Sequence, residues 1–271
     1  MSVSVITITY DDPIGLARTI KSVIDQQCEV EIEHVIVDGA QSESTFQILA
    51  AHRSTATVIS EPDDGRYDAM NKGIRRSTGD VLWFMHSGDR FSSPSSVSIA
   101  LSQLGDPRNQ WGYGLARLVD SEQRFCGVFG DLSFVRQRFA LGGKPVPHQA
   151  CFFGREIVAK LGEYDLNHGL AADQLFILRA SLERQPVVIA DFLADFDVTG
   201  AGSIRLPFHH YKEMSQSRRK TGISYSGSES IDTILSMALA SKAMARFVAA
   251  RTLQQFLQFR ETVSKRGDML A

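Results

Sequence analysis

Cysteine is scarce in this chain, and the three that occur (Cys28, Cys126 and Cys151) are far apart and odd in number. No C-x-x-C pair is present, so neither a zinc knuckle nor a disulfide framework is supported. That usage fits a reducing, cytoplasmic compartment. No apolar run approaches the roughly 20 residues that a membrane-spanning helix needs. The opening MSVSVITITY lacks the charged segment, apolar segment and cleavage site of a secretory leader, so none is expected. The glycine fingerprint G-x-G-x-x-G does not follow the first apolar run, which argues against a dinucleotide oxidoreductase. Net charge is only −2, so nucleic acid is not an expected partner. Internal repeats and low-complexity segments are also missing.

What remains is an ordinary globular composition. The 271 residues are 43% hydrophobic and 22% charged, enough for a substantial core in one large or two small domains. The charge is uneven, however. Residues 205–271 carry 11 Lys/Arg against 5 Asp/Glu, whereas residues 1–204 carry 18 against 26. An acidic body with a basic tail calls for a physical reason.

The first hundred residues alternate between two periodicities. Apolar, β-branched runs at 3–9, 32–37, 57–60 and 81–85 predict strands. Between them lie helical patterns: one opening at Asp12-Pro13 with Leu16, Ile20, Val23 and Ile24 on a face, then about 43–53 and about 66–77. Strands that alternate with helices on short connections predict a parallel sheet covered on both sides. Ligands of such sheets sit beyond the carboxyl ends of the strands. After about residue 105 the rhythm changes. Strands are expected at 111–119 and 124–129 around a turn at 120–123, with a further apolar stretch at 149–153. A helix over 171–184 and a strand over 186–191 follow, and residues 230–266 read as helical and basic.

Carboxylates stand at three of the four predicted strand ends: Asp38, Asp63/Asp64 and Asp89. Each one alone is also a common turn former or helix cap. An acidic edge repels phosphate unless a cation intervenes, so together they suggest a metal or contacts to base and ribose. Asp68, Asn71 and Lys72 fall at i, i+3 and i+4, on one helical face. Lys72 can offer charge to a phosphate, or the face can be merely solvated. Asp89 follows Ser87-Gly88 at the end of the apolar VLWFM run. A rigidly placed hard oxygen ligand there suits magnesium or manganese bridging a diphosphate.

Four segments carry a resemblance to a known family: ITITYDDPIGLARTIKSVIDQ, VDGAQSEST, EPDDGRYDAMNKGIRRSTGDVLWFMHSGD, and HQACFFGREIVAKLGEYD with AADQ. Over about residues 3–180 the chain resembles the family-2 glycosyltransferases of the GT-A fold. The likeness is to members acting in bacterial polysaccharide or glycolipid assembly, including the colanic-acid type. It implies an α/β fold with a mostly parallel central sheet, helices on both faces, a small antiparallel part and a C-terminal helical tail. The implied layout is a catalytic domain over 1–205 (nucleotide-binding half 1–105, acceptor-binding half 106–205) and a helical extension over 206–271. The implied reaction is inverting transfer of a sugar from a UDP- or GDP-sugar to a glycan or lipid-linked acceptor.

By the same resemblance, Thr9, Tyr10, Asp38 and Asp64 face the nucleoside, and Asp68, Asn71 and Lys72 lie near the diphosphate and sugar. Asp89 is the last residue of a metal-binding D-x-D motif, held with Ser87 and Gly88 at the donor. The departure is Ser87, which replaces the first Asp, so weaker binding of Mn2+ or Mg2+ is expected. Asp173 matches the catalytic base, although a carboxylate at a helix start also interacts with the helix dipole. His148 and Gln149 match a segment beside the acceptor; a histidine there is as readily structural. His209-His210 offers a late metal ligand, and GAGS at 200–203 a loop closing over the donor.

In the tail, Ala240, Met244, Phe247, Val248, Phe256, Leu257 and Phe259 interleave with Lys242, Arg246, Arg251 and Arg260. Such a helix over 240–266 can lie on an anionic membrane surface, at the inner face of the plasma membrane. Its alternatives are packing on the catalytic domain or on a second subunit as a homodimer. Two other functions compete with transfer. A non-catalytic nucleotide-sugar or glycan-binding module would need no base, yet both Asp89 and Asp173 are present. A sugar nucleotidyltransferase would want a basic first loop, and TYDDPIG has neither Lys nor Arg.

Overall fold

The β-branched N-terminal run forms β1 (Ser2–Thr9). In this computed structural model residues 1–198 and 207–268 are described, the last helix beyond Ala249 by its backbone. Asp12 caps α1 (Pro13–Ile24) by accepting the Gly15 N–H at 2.9 Å, and Pro13 supplies the preset φ of a first helical turn. The face Leu16, Ile20 and Val23 is buried, as its spacing predicts. There follow β2 (Glu31–Asp38), α2 (Glu43–His52, capped by Ser42), β3 (Thr57–Ser60), α3 (Arg66–Arg76) and β4 (Val81–Phe84).

The second half is β5 (Arg90–Phe91), α4 (Ser96–Ser102), β6 (Trp111–Val119), β7 (Phe125–Phe129), α5 (Arg136–Ala140), β8 (Cys151–Gly154), α6 (Arg155–Leu161), α7 (Ala172–Glu183) and β9 (Val187–Asp197). Two long helices close the chain, α8 (Pro207–Thr221) and α9 (Glu229–Asp268).

All the strands join one sheet, in the order β3-β2-β1-β4-β8-β6-β9-β5, with β7 added on β6. The first half is parallel, β1 pairing with β2 and β4, and β2 with β3. Antiparallel pairing of β4 with β8 carries the sheet unbroken across residue 105 into the second half. The chain therefore runs outward from β1 to β3 and then returns to place β4 on β1's other side. That reversal leaves a crevice beyond the carboxyl ends of β1 and β4.

Alternation along the central strands feeds two cores. Val3, Val5, Val81 and Trp83 pack on one face, Ile6, Leu82 and Phe84 on the other. The Trp83 indole is fully buried and donates to the Gln149 carbonyl at 2.8 Å, which satisfies the one polar atom that its burial would otherwise strand.

Three expectations need revision. The strand foreseen over 186–191 runs on to Asp197. Its far half pairs in parallel with β6, and the buried Asp195 carboxylate there joins Arg90 and Arg117. The stretch at 149–153 begins as a 3-10 turn (His148–Ala150), and β8 starts only at Cys151. The short helices α4, α5 and α6 were not foreseen. The tail is helical as expected. Asp232, Ser236 and Ala240 of α9 are buried, with Ser236 bonded to Leu141 of the body and to Arg218 of α8. Ile231, Ile234, Met237 and Val248 of the same helix are exposed. No described helix is long and apolar enough to cross a membrane. Residues 200–203 lie outside the described residues.

Candidate active site

A cavity of about 1380 Å³ opens at the crevice between β1 and β4. The end of β1 brings Thr9, buried with no hydrogen-bond partner for its hydroxyl, and the exposed ring of Tyr10. The turn after β4 brings His86, Ser87, Gly88 and Asp89. It is tied to α1, because the Ser87 hydroxyl donates to Asp12 Oδ2 at 2.7 Å and the Thr19 hydroxyl to the Asp89 carbonyl at 2.6 Å.

The Asp89 side chain is nearly buried, and Oδ1 accepts the Asp197 N–H at 3.2 Å. Burial, together with the Asp197 and Asp195 charges, pushes its carboxyl well above the usual range; the Asp197 amide and the Arg66 charge oppose this. Asp197 also lines the cavity. A desolvated carboxylate beside a second carboxylate is an all-oxygen environment that suits Mg2+ or Mn2+, whose charge would offset the cost of ionising both. Among the described residues no cluster of three His, Cys, Asp or Glu forms. Further ligands would have to come from substrate and water.

Asp173 sits in the first turn of α7, where α7 meets α3. Its Oδ1 accepts from the Gln174 amide at 2.8 Å and lies 3.4 Å from the Tyr67 hydroxyl; its Oδ2 accepts from Gln174 Nε2 at 3.2 Å. His148 is buried, with Nε2 2.8 Å from the Tyr164 hydroxyl. Burial lowers its pKa to about 3. His86 falls to about 3 as well, through burial and then the His148 and Arg66 charges, against Asp173. Both imidazoles are therefore neutral near pH 7. Gln149 is buried with its Nε2 unpartnered, and a buried amide left without an acceptor costs about 1–3 kcal/mol until something accepts from it.

Of the residues singled out in the sequence, the cavity gathers Thr9, Tyr10, Ser87, Gly88, Asp89, His148, Gln149 and Asp173. Asp38, Asp64, Asp68, Asn71 and Lys72 are not among its lining. Asp38 is fully buried and organises its own turn, accepting from Gln41 N, Ser60 Oγ and Thr45 Oγ1. Asp64 is exposed; its neighbour Asp63 lines the cavity, packed so close to Gly39 that a Cβ there would fall 1.7 Å from Asp63 Oδ2. Asn71 is buried and exchanges two bonds with the Tyr164 backbone, at 3.0 and 2.8 Å. Lys72 Nζ is held by the Pro62 carbonyl (2.6 Å), Glu61 (3.0 Å) and Asp68 (3.4 Å). Of the pair His209-His210, His210 reaches the cavity and His209 is exposed. Asp12, Arg18, Arg66, His86 and Asp197 line the cavity without having been chosen. Asp197 obeys the strand-end rule, at the end of a β9 that runs past the 186–191 its sequence predicts.

A carboxylate-lined cavity at the switch point of an α/β sheet narrows the chemistry, and similarity decides it. Residues 4–156 match Glycosyl transferase family 2. The chain belongs to that family. An uncharacterized glycosyltransferase of Mycobacterium tuberculosis is 48% identical over 210 residues, 76% of this chain and 79% of that one. A PGL/p-HBAD biosynthesis glycosyltransferase of Mycobacterium bovis is 28% identical over 181 residues, 65% of this chain and 68% of that one. Solved structures share the GT-A fold. Mannosyltransferase PcManGT of Pyrobaculum calidifontis, in complex with GDP-Man and Mn2+, has a TM-score of 0.63 at 18% identity, covering 95% of this chain and 79% of that one. Residues 1–349 of Staphylococcus aureus TarS, with UDP-GlcNAc, have a TM-score of 0.62 at 17% identity, covering 92% and 72%. The chain spans 41% of the longer TarS chain. This family member is thus a glycosyltransferase with the fold that its sequence implied.

Proposed function

We propose that this glycosyltransferase moves a sugar from a UDP- or GDP-sugar to a hydroxyl of a glycan or lipid-linked acceptor, with inversion and with a divalent cation at Asp89. One observation carries the reading: Asp89 and Asp173, from opposite halves of the chain, line a single cavity together with Thr9 and Tyr10. Asp173 accepts the proton of the acceptor hydroxyl as that oxygen attacks the anomeric carbon. The bond from that carbon to the diphosphate oxygen breaks, and the nucleoside diphosphate leaves. The Gln174 backbone N–H at 2.8 Å and its side-chain Nε2 at 3.2 Å hold the Asp173 carboxylate in place. His86 and His148, kept neutral by burial, add no positive charge to compete with that proton transfer. When bound by Asp89 with Asp197 beside it, Mn2+ or Mg2+ supplies positive charge against the departing diphosphate.

PcManGT binds GDP-Man with Mn2+ and TarS binds UDP-GlcNAc, which supports a nucleotide-sugar donor here. The exposed Ile231, Ile234, Met237 and Val248, flanked by Lys242 and Arg246, support contact of α9 with an anionic membrane at its cytoplasmic face, where a lipid-linked acceptor resides. Screening UDP- and GDP-sugars for thermal stabilisation with and without Mn2+ tests the donor reading. A rise in melting temperature with one base series is expected. No rise with any member of either series would refute it.

A further inference from the structure

Within the proposed donor reading, on which this inference rests, we infer that Arg66 receives the donor's diphosphate, the role that helical spacing and the family resemblance gave to Lys72. A diphosphate needs positive charge, and the cavity is acidic: Asp12, Asp63, Asp89, Asp173 and Asp197 all line it. Arg18 and Arg66 are the Lys/Arg side chains among the described lining residues. Lys72 is outside that lining, with three oxygens already on its ammonium group and 14% of its side chain exposed. Reaching a phosphate would cost it those contacts.

Arg66 is differently placed. It is half-buried, and among the described residues its guanidinium makes no hydrogen bond and no ion pair. It lines the same cavity as His86, Ser87, Gly88 and Asp89, the turn after β4 where the leaving group would lie. It opens α3, an 11-residue helix whose N-cap is Gly65 at φ 103°, with no side-chain cap. A Cβ built on Gly65 would meet nothing within 4 Å. A helix N-terminus adds favourable potential for an anion, and a guanidinium matches two phosphate oxygens with two parallel N–H donors. The buried, unpartnered Thr9 hydroxyl and Gln149 amide line the same cavity. Polar atoms left unmet in this way are the mark of a site shaped for a polar ligand.

The test is calorimetric binding of UDP and GDP against uridine and guanosine, with Mn2+ and again in excess chelator. For the base that binds, the wild-type protein should prefer the diphosphate to the nucleoside in both conditions. Arg66→Ala should weaken diphosphate binding at least tenfold while leaving nucleoside affinity within about twofold. Arg66→Lys should recover part of the loss, and Lys72→Met should keep the wild-type preference. Undiminished diphosphate binding by Arg66→Ala, or loss of the preference in Lys72→Met with a normal melting temperature, overturns the inference and leaves the donor reading standing. If the wild-type protein binds none of the four ligands, the donor reading fails and takes this inference with it.

Discussion

Replacing Asp173 by asparagine separates chemistry from binding. Asparagine keeps the size of the side chain and one carbonyl oxygen. That oxygen can still accept from the Gln174 amide at 2.8 Å and face the Tyr67 hydroxyl at 3.4 Å. What is lost is the acceptor at Oδ2, where Gln174 Nε2 now donates at 3.2 Å; two amide NH2 groups would meet there. That mismatch costs about 1 kcal/mol of stability, too little to unfold a domain whose neighbouring α7 residues are buried. The proposed proton acceptor disappears altogether. General-base catalysis contributes about 10²–10⁴-fold, so transfer should slow by that factor, about 2.7–5.4 kcal/mol of barrier. The assay is nucleoside diphosphate release at saturating acceptor, alongside calorimetric donor affinity. Donor affinity should stay within about threefold of wild type. Transfer within tenfold of wild type would refute Asp173 as the base. So would a rate profile governed by a histidine near pH 6.5, because His86 and His148 titrate near 3.

Other consequences are equally accessible. Asp89→Ala should abolish Mn2+ binding in the presence of nucleoside diphosphate, read by calorimetry, and cut transfer at least 100-fold; full wild-type activity in excess chelator would exclude the metal role. Asp195→Asn leaves Arg90 and Arg117 without their shared carboxylate, on which both side chains converge at 2.6–2.9 Å; the urea midpoint should fall by an amount equal to about 3 kcal/mol. Asp232 has a folded pKa of about 2 against an ordinary 3.8: burial alone would raise it, but hydrogen bonds from Ser226, Ser224 and Tyr225 outweigh burial. Its contribution to stability is therefore complete above pH 3.8 and disappears as pH falls through about 2. Asp232→Asn should be less stable at pH 7 and should lose that part of the acid dependence in thermal melts.

The first half of the fold was legible because its signals are local. Asp12-Pro13 begins a helix by its own chemistry; the run at 81–85 is apolar throughout, and that at 3–9 is β-branched with only small hydroxyls between, because both faces of their strands are covered. The second half depends on partners distant in sequence. Nothing near Asp191 says that the strand continues to Asp197, since that continuation is dictated by pairing with β6 and by two arginines from β5 and β6. Helices of five to seven residues, such as α4 to α6, are too short to show a helical period. The site divided along the same line. Strand-end carboxylates such as Asp89 were found by topology. The face Asp68, Asn71 and Lys72 was identified correctly as one face, but periodicity does not say what a face meets. Here it meets Tyr164, Glu61 and Pro62. Arg66, one residue into the same helix, has no periodic signal at all.

The bond pair between Asn71 and Tyr164 reaches further than either residue. A side-chain amide that both donates to and accepts from a remote backbone imitates one rung of a β-ladder, here clasping α3 to the segment ahead of Asp173. Tyr164 in turn holds His148 through its hydroxyl. The first half of the chain and the segment ahead of Asp173 are thus riveted at one buried point. An engineer who grafts a new acceptor half onto this donor half must transplant the rivet with it. A chimera that joins the chain cleanly near residue 105 but omits the matching backbone at 164 would assemble its two carboxylates out of alignment, however well each half folds.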